Sequence, residues 1–242
     1  MSDGIYVALS GALAQTATLD ATASNLANAS TDGYQRVRPI FREALARAAG
    51  HAATMRSVTA ATTLLDTTRG ALRTTGRPLD VTLPDGGYLA VHTTAGERYT
   101  RSGSLRVGSD GTLTTSNGSS LMADDGRIIR TNPDAADVRI TPSGEVRQGG
   151  SMIARLRVVA FPRADRLAPE GGALLAATDA TGTPVTSNGE LAIGSLEGSN
   201  TSVVGAMTEL VTASRNFDAF QRAIDAFHDA DHMLVTSVPG DS

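Results

Sequence analysis

Two histidines four residues apart share one helical face and can hold a metal ion. The stretch His-Asp-Ala-Asp-His, residues 228–232, offers that spacing with a carboxylate, Asp229, beside the first ring. It resembles the zinc-protease arrangement, in which a glutamate serves as general base. A working hydrolase needs a third ligand, and the remaining histidines, His51 and His92, are far away along the chain. Aspartate is also shorter than the glutamate that such a base requires. Two solvent-facing or interface histidines in the last turns of a helix are the favoured reading. A metal-dependent hydrolase using His228 and His232 stands as the enzymatic alternative.

Other chemistry finds less support. There is no Gly-x-Ser-x-Gly elbow, and a phosphate loop ending in lysine is impossible because all 21 basic residues are arginine. No cysteine exists, which excludes disulfides, thiolate metal sites and a cysteine nucleophile. Acid pairs such as Asp124/Asp125 sit beside glycine, where aspartate is favoured for backbone reasons. Arg36, Arg38, Arg42 and Arg47 form either a solvated face or a contact surface for acidic groups. A net charge of −4 gives no basic face for nucleic acid. Tyr88, Tyr99, Phe161 and a few others are too sparse for an aromatic platform, which weighs against a glycan- or peptide-binding module. No catalytic residue, cofactor or metal is therefore assigned.

The elements that would carry any site are more informative. Ile5, Leu9, Ala12, Thr16, Leu19, Ala23 and Leu26 recur at alternating steps of four and three, a heptad seam sustained for three repeats. The seam is small, and its four large residues are worth ~1.5–3 kcal/mol each when buried. Ordering the backbone costs ~1–2 kcal/mol per residue, so this helix is marginal alone. It stops at an asparagine-rich terminus, Asn25 and Asn28 followed by Ser30-Thr31-Asp32-Gly33. A second amphipathic helix spans about 201–236, with Val203, Met207, Leu210, Phe217, Phe220, Ile224 and Phe227 mostly at three- and four-residue steps. Bulky where the first is small, it suits close packing against it.

Between the helices, Asp85-Gly86-Gly87, Ala95-Gly96, Ser109-Asp110-Gly111, Asn117-Gly118 and Asp124-Asp125-Gly126 punctuate short β-prone runs such as Tyr88–Val91 and Arg155–Val159. The fold class expected is mixed α and β: an antiparallel β-rich central domain flanked by N- and C-terminal helices that pair as a coiled coil. The expected divisions are a helical assembly domain from residues 1–34 plus 200–242, a connecting segment 35–69, and a β-rich outer domain 70–199. Within 35–69 the arginine-bearing stretch could form a short helix, and Thr62–Leu65 a strand. The apolar stripes also suit an ordinary intramolecular helical layer. No run approaches ~18 apolar residues, so no membrane span is expected. Met1-Ser2-Asp3-Gly4 does not read as a secretory signal.

Four stretches carry a resemblance: "GIYVALSGALAQ" (4–15), "ASNLANASTDGYQR" (23–36), "GALRTTGRPLDVTLPDGGYLAVHTTAGERYTRSGSL" (70–105) and "LEGSNTSVVGAMTELVTASRNFDAFQRAID" (196–225). In that order and separation they resemble the FlgF/FlgG family of axial proteins of the bacterial flagellar basal-body rod. The Asn-Leu-Ala-Asn terminus and the Leu-Glu-Gly-Ser-Asn wording lean toward the proximal-rod type over the distal-rod or hook type. The resemblance implies a non-enzymatic subunit of the periplasmic rod that transmits torque. It would be exported through the flagellar export apparatus without a cleaved signal peptide, then assembled helically with copies of itself and other axial rod proteins. It further implies that the terminal helices line the inner wall as a coiled coil. The residues expected at subunit assembly are Ile5, Leu9, Ala12, Leu19, Leu26, Asn25, Asn28, Val203, Met207, Leu210, Phe217, Phe220, Ile224 and Phe227.

Overall fold

The computed structural model describes residues 2–47, 54–132 and 137–236. Helix α1 spans Ser2–Ala27, followed by two long strands, β1 (Val37–Arg47) and β2 (Thr54–Leu65). Seven short strands come next: β3 (Leu72–Thr74), β4 (Val81–Thr82), β5 (Gly87–Thr93), β6 (Gly96–Thr100), β7 (Leu105–Val107), β8 (Leu113–Thr115) and β9 (Ser120–Leu121). A further set follows: β10 (Val138–Ile140), β11 (Glu145–Gln148), β12 (Ser151–Arg155), β13 (Val158–Ala160), β14 (Ala168–Pro169), β15 (Leu174–Ala176), β16 (Val185–Thr186), β17 (Ala192–Ile193) and β18 (Ser195–Glu197). Helix α2, Val203–Thr236, ends the described chain. The architecture is thus a β-rich centre with helices at both ends.

Two compact units arise. One contains most of α1, β1, β2 and α2; the other contains residues 27–37 and 64–202. In the first, β1 and β2 pair as a two-stranded sheet. The short helix weighed for the stretch from Arg36 to Arg47 is therefore absent, and a strand stands there instead. Pro39 lacks the N–H that a helix interior needs, while Val37, Ile40 and Phe41 suit a pleated surface. Thr62–Leu65 is the end of β2.

The second unit is built on a sheet ordered β14-β15-β6-β5-β9-β8-β7, with β13 also paired to β5 and β16 to β13. The pairings are antiparallel, as expected of short strands joined by tight glycine turns. Gly111 and Gly118 adopt φ of 77° and 84°, the left-handed region that lets the Asp-Gly and Asn-Gly turns reverse the chain. Central strand β5 is buried on both faces, so Tyr88, Leu89, Ala90 and Val91 show no exposure and no in-out alternation. Val81, Leu83, Leu105, Leu113, Leu121, Ile129, Val146 and Leu156 complete the core.

Two small pairings tie late chain to early chain: β17 to β4 and β18 to β3. Gly103 lies so close to Val81 that a Cβ there would come within 1.7 Å of the Val81 carbonyl oxygen. The contact is backbone against backbone and cannot be relieved by a rotamer change. Gly103→Ala is expected to destabilise this unit by ~3 kcal/mol, read as a lowered urea midpoint.

Burial and the hydrogen bond from the Tyr99 hydroxyl to Glu97 push the Tyr99 phenol up to about 12. Burial likewise raises Tyr88. A phenol that resists ionisation only when folded stabilises fully below its unfolded value, ~10, and loses that contribution as pH rises toward 12. Stability should fall across that window, and tyrosinate absorbance should appear late and together with unfolding.

Candidate assembly site

The helical unit buries small residues and exposes large ones. On α1 the buried side chains include Ala8, Ala12, Ala21, Thr22 and Asn25; on α2 they are Ala206 and Ala213 among the described residues. The helices touch where Gly11 lies beneath the Phe220 ring, with room for no Cβ: the ring's Cε1 would be 2.3 Å from it. A shallow groove shared by Gln15 and Thr18 with Thr208, Thr212 and Asn216 continues the contact. Residues earlier in α1 thus meet residues later in α2, an antiparallel arrangement. Thr16 and Thr18 donate to the Ala12 and Ala14 carbonyls, both at 3.0 Å, and Thr212 to Thr208 at 2.8 Å. Such bonds back into the helix satisfy the hydroxyl donors without needing a partner across the interface.

Exposed apolar side chains crowd the same helices. Val7, Leu9 and Leu13 stand out from α1, and Val203, Val204, Met207, Val211, Phe227 and Met233 from α2. Leu13 is 63% exposed and Val204 73%, values typical of charged surface residues rather than of leucine and valine on a helix.

The expected assembly residues distribute unevenly. Ala12 and Asn25 are buried; Ile5, Leu19, Leu26, Asn28, Leu210, Phe217, Phe220 and Ile224 are half-buried; Leu9, Val203, Met207 and Phe227 are exposed. Asn28 accepts a hydrogen bond from the Thr31 hydroxyl at 3.2 Å and a backbone bond from the Thr31 amide, closing the end of α1. His228 is exposed on α2, and the His232 side chain lies outside the described residues. Among the described residues, no group of three or more histidine, aspartate or glutamate side chains is placed to hold a metal ion.

The β-rich unit contains a second arrangement around a buried ion pair. The side chains of Arg101 and Glu197 are 2% and 3% exposed. Arg101 Nε donates to Glu197 Oε1 at 3.1 Å, its Nη2 donates to Oε2, and its Nη1 donates to the Gly87 carbonyl at 2.9 Å. The guanidinium lies 5.7 Å from the Tyr88 ring centroid. Glu197 also accepts from the Gly70 amide at 3.3 Å, and Arg69 approaches it at 3.6 Å. Tyr88 in turn donates to Gln35 at 3.0 Å.

The chain on either side of the pair is laced together. Gly33 N donates to the Glu197 carbonyl at 2.7 Å, Arg36 N to Asn200 Oδ1 at 2.7 Å, and Asn200 N to the Tyr34 carbonyl at 3.3 Å. The Asn200 amide donates to the Asp66 and Thr68 carbonyls at 2.8 and 2.9 Å. Gly33 has φ of 71°, and a Cβ on it would fall 2.3 Å from Ser102 N. Segments 33–36, 66–70, 101–103 and 197–200 therefore meet in one knot, buried at Gly33, Arg101 and Glu197 and open to water at Thr68.

The sequence places Gly33 in the helix terminus and Arg101, Glu197 and Asn200 in the stretches that carry the resemblance, but does not join them in one contact. A charged residue within an otherwise small, uncharged stretch was the available signal, in "TRSGS" and "LEGSN". Their pairing across 96 residues was not readable. Gly11, Ala206 and Ala213 were missed because small residues carry no hydrophobic signal.

Comparison with known proteins accounts for these segments. A family model described as flagella basal body rod protein matches residues 5–35; one for the flagellar hook protein FlgE/F/G D1 domain matches 84–148; and one for the flagellar basal body rod FlgEFG protein C-terminal region matches 192–234. The flagellar basal-body rod protein FlgF of Salmonella typhimurium is 35% identical over 250 residues, covering 93% of each chain. The FlgF of Escherichia coli is 34% identical, covering 95% of each. The flagellar basal-body rod protein FlgG of Bacillus subtilis is 28% identical, covering 93% of this chain and 94% of its own. The chain belongs to the flagellar basal-body rod family and is a structural subunit of the basal body, not an enzyme.

Removing one partner of the buried pair leaves a charge without compensation, whereas replacing both leaves none. Arg101→Met alone is expected to lower stability by ~3–5 kcal/mol, and adding Glu197→Leu to restore a substantial part of it. Urea titration of the single and double variants measures the difference.

Proposed function

We propose that this rod protein is a FlgF-type, proximal-rod subunit whose terminal helices are completed by neighbouring subunits in a helical assembly. The observation that carries the reading is the row of large apolar side chains left in solvent on both helices: Val7, Leu9 and Leu13 on one, Val203, Val204, Met207 and Val211 on the other. Each would contribute ~1.5–3 kcal/mol on burial. A neighbour presenting the same apolar side chains offers that burial, and a repeated head-to-tail contact whose rotation does not close generates an open helical tube.

In this reading the assembly part takes in residues 1–34 and 200–242, with pairing in coiled-coil fashion through Ile5, Leu9, Ala12, Leu19 and Leu26 on one side and Val203, Met207, Leu210, Phe217, Phe220, Ile224 and Phe227 on the other. Asn25 and Asn28 close the first helix. Residues 70–199 form the outer, β-rich part, reached through the connecting segment 35–69. Strands β1 and β2, which cluster with the helices, extend the assembly part beyond two helices alone. The partners are other copies of this chain and other axial rod proteins, reached after passage through the flagellar export apparatus. Identities of 35% and 34% to the FlgF proteins of Salmonella typhimurium and Escherichia coli support the proximal position.

Leu9→Asp combined with Val204→Asp should leave the urea midpoint of the purified protein nearly unchanged, since both side chains already face water. The same variant should fail to enter basal bodies and should abolish swimming. Normal incorporation of that double variant would remove the support for completion by neighbours. A truncation lacking residues 1–34 and 200–242 should lose the helical circular-dichroism signal.

A further inference from the structure

We propose that Asn188 is a site of spontaneous deamidation, at which the Gly189 amide nitrogen closes on the Asn188 side chain, while the same tripeptide around Asn117 is protected by its hairpin. The chain contains Ser-Asn-Gly twice, at 116–118 and at 187–189. Both asparagines are exposed, and both lie in the β-rich unit. Glycine after asparagine leaves the attacking nitrogen unhindered, so the local sequence gives the two sites nearly equal reactivity. Their surroundings in the fold differ.

The first copy is the turn between β8 and β9. Gly118 N donates to the Thr115 carbonyl at 2.9 Å, Thr115 N to the Ser119 carbonyl at 2.9 Å, and Ser119 N to Thr115 Oγ1 at 3.2 Å. The nitrogen that must attack is held, with its proton engaged. A Cβ on Gly172 would fall 3.3 Å from Asn117 Nδ2, so that side-chain amide lies beside Gly172. Attack on Asn117 has to wait for the end of the hairpin to open.

The second copy is tethered at its edges. Ser187 N donates to the Val158 carbonyl at 2.9 Å and Leu191 N to the Pro142 carbonyl at 2.8 Å. Between these points Asn188, Gly189 and Glu190 are all exposed, and none has a hydrogen-bond partner among the described residues. No bond has to break before Gly189 N approaches Asn188 Cγ to the ~3–3.5 Å of a near-attack geometry. Glycine is also required at 189, because a Cβ there would come within 2.4 Å of the Pro84 Cβ.

In the reaction Gly189 N bonds to Asn188 Cγ and the bond from Cγ to the side-chain nitrogen breaks. Ammonia leaves, taking up through solvent the proton that Gly189 N gives up, and a succinimide ring remains. Water opens that ring at either carbonyl, giving an aspartyl or an isoaspartyl residue. Water is the only co-reactant. Either product adds negative charge to the wall of a cavity of about 320 Å³ that Asp124, Arg155 and Glu190 also line. The isoaspartyl link lengthens the backbone by a methylene just before Leu191, a core residue. The change is a one-way mark of age on the β-rich unit.

Full-length protein, held at mildly alkaline pH and sampled over days, is analysed by mass spectrometry. Arginine-specific digestion puts Asn117 in the peptide 107–127 and Asn188 in 167–215. Fragmentation distinguishes Asn188 from Asn200 within the second. In folded protein Asn188 should convert about tenfold faster than Asn117, the factor expected when hydrogen bonds must first be released. In urea, where neither setting persists, the two rates should come together. Circular dichroism through the incubation confirms that the fold is retained. Asn188→Gln should abolish the change at 188, since the longer side chain closes a six-membered ring slowly, and Asn188→Ser serves if that variant is perturbed. Rates in folded protein that are equal, or faster at Asn117, overturn the assignment. So does folded protein left unmodified at Asn188 when the urea-treated chain has reacted.

Discussion

A carboxylate sealed from water is the constraint on which the β-rich unit turns. Glu197 has almost no solvent contact, and a lone ionised carboxylate in that position would be strongly unfavourable. The Arg101 fork, the Gly70 amide and the nearby Arg69 supply the compensation. Those groups come from two distant places in the sequence, so satisfying one carboxylate forces three chain segments together. The small residues around it follow from the same demand. Gly33 must fold into a left-handed turn against Ser102, and Gly103 must pass within contact of Val81, because side chains there would hold the segments apart. A buried pair of this kind adds little net stability over an apolar replacement, and its value lies in specifying one arrangement.

The helical unit obeys the opposite rule. Among the described residues no charged side chain is buried inside it, and its fully buried side chains are alanines with Thr22 and Asn25. Leu9, Leu13, Val204 and Met207 face water, while Leu19, Leu210, Phe217 and Ile224 are half-buried. In an isolated globular protein that pattern would be a liability. In the assembly we propose, the burial that stabilises the helices comes from neighbours.

Several ionisable residues close turns or join strands. Asp110 accepts from the Thr112 amide and hydroxyl, which hold its carboxyl below the usual range, and Asp125 is held low by Arg127. Both close tight turns. Arg98 pairs with Glu170, Arg157 with Glu97, and Arg147 and Arg155 with Glu145. These contacts join strands and loops of the sheet, and an arginine's planar fork suits such bidentate and multi-partner roles.

Periodicity alone determined that helices bound the chain, because a three- and four-residue repeat has only one local solution. Glycine beside aspartate or asparagine likewise determined where the sheet turns, since Gly111 and Gly118 occupy backbone regions that other residues avoid. The same local logic failed at Val37–Arg47, where pairing with a strand starting at Thr54 decided the conformation. It also could not tell which helical face would be covered: the apolar spacing put Leu9 and Ala12 on one seam, while the structure buries Ala12 together with Ala8 and leaves Leu9 in water. Burial of one face against another depends on what else is present in three dimensions. The joining of Arg101 to Glu197, and of Tyr34 and Arg36 to Asn200, belongs to that category too. Charge and hydrogen-bonding capacity are properties of single residues and are written in the sequence. Which capacity meets which is a matter of distance, and only the folded chain sets distances.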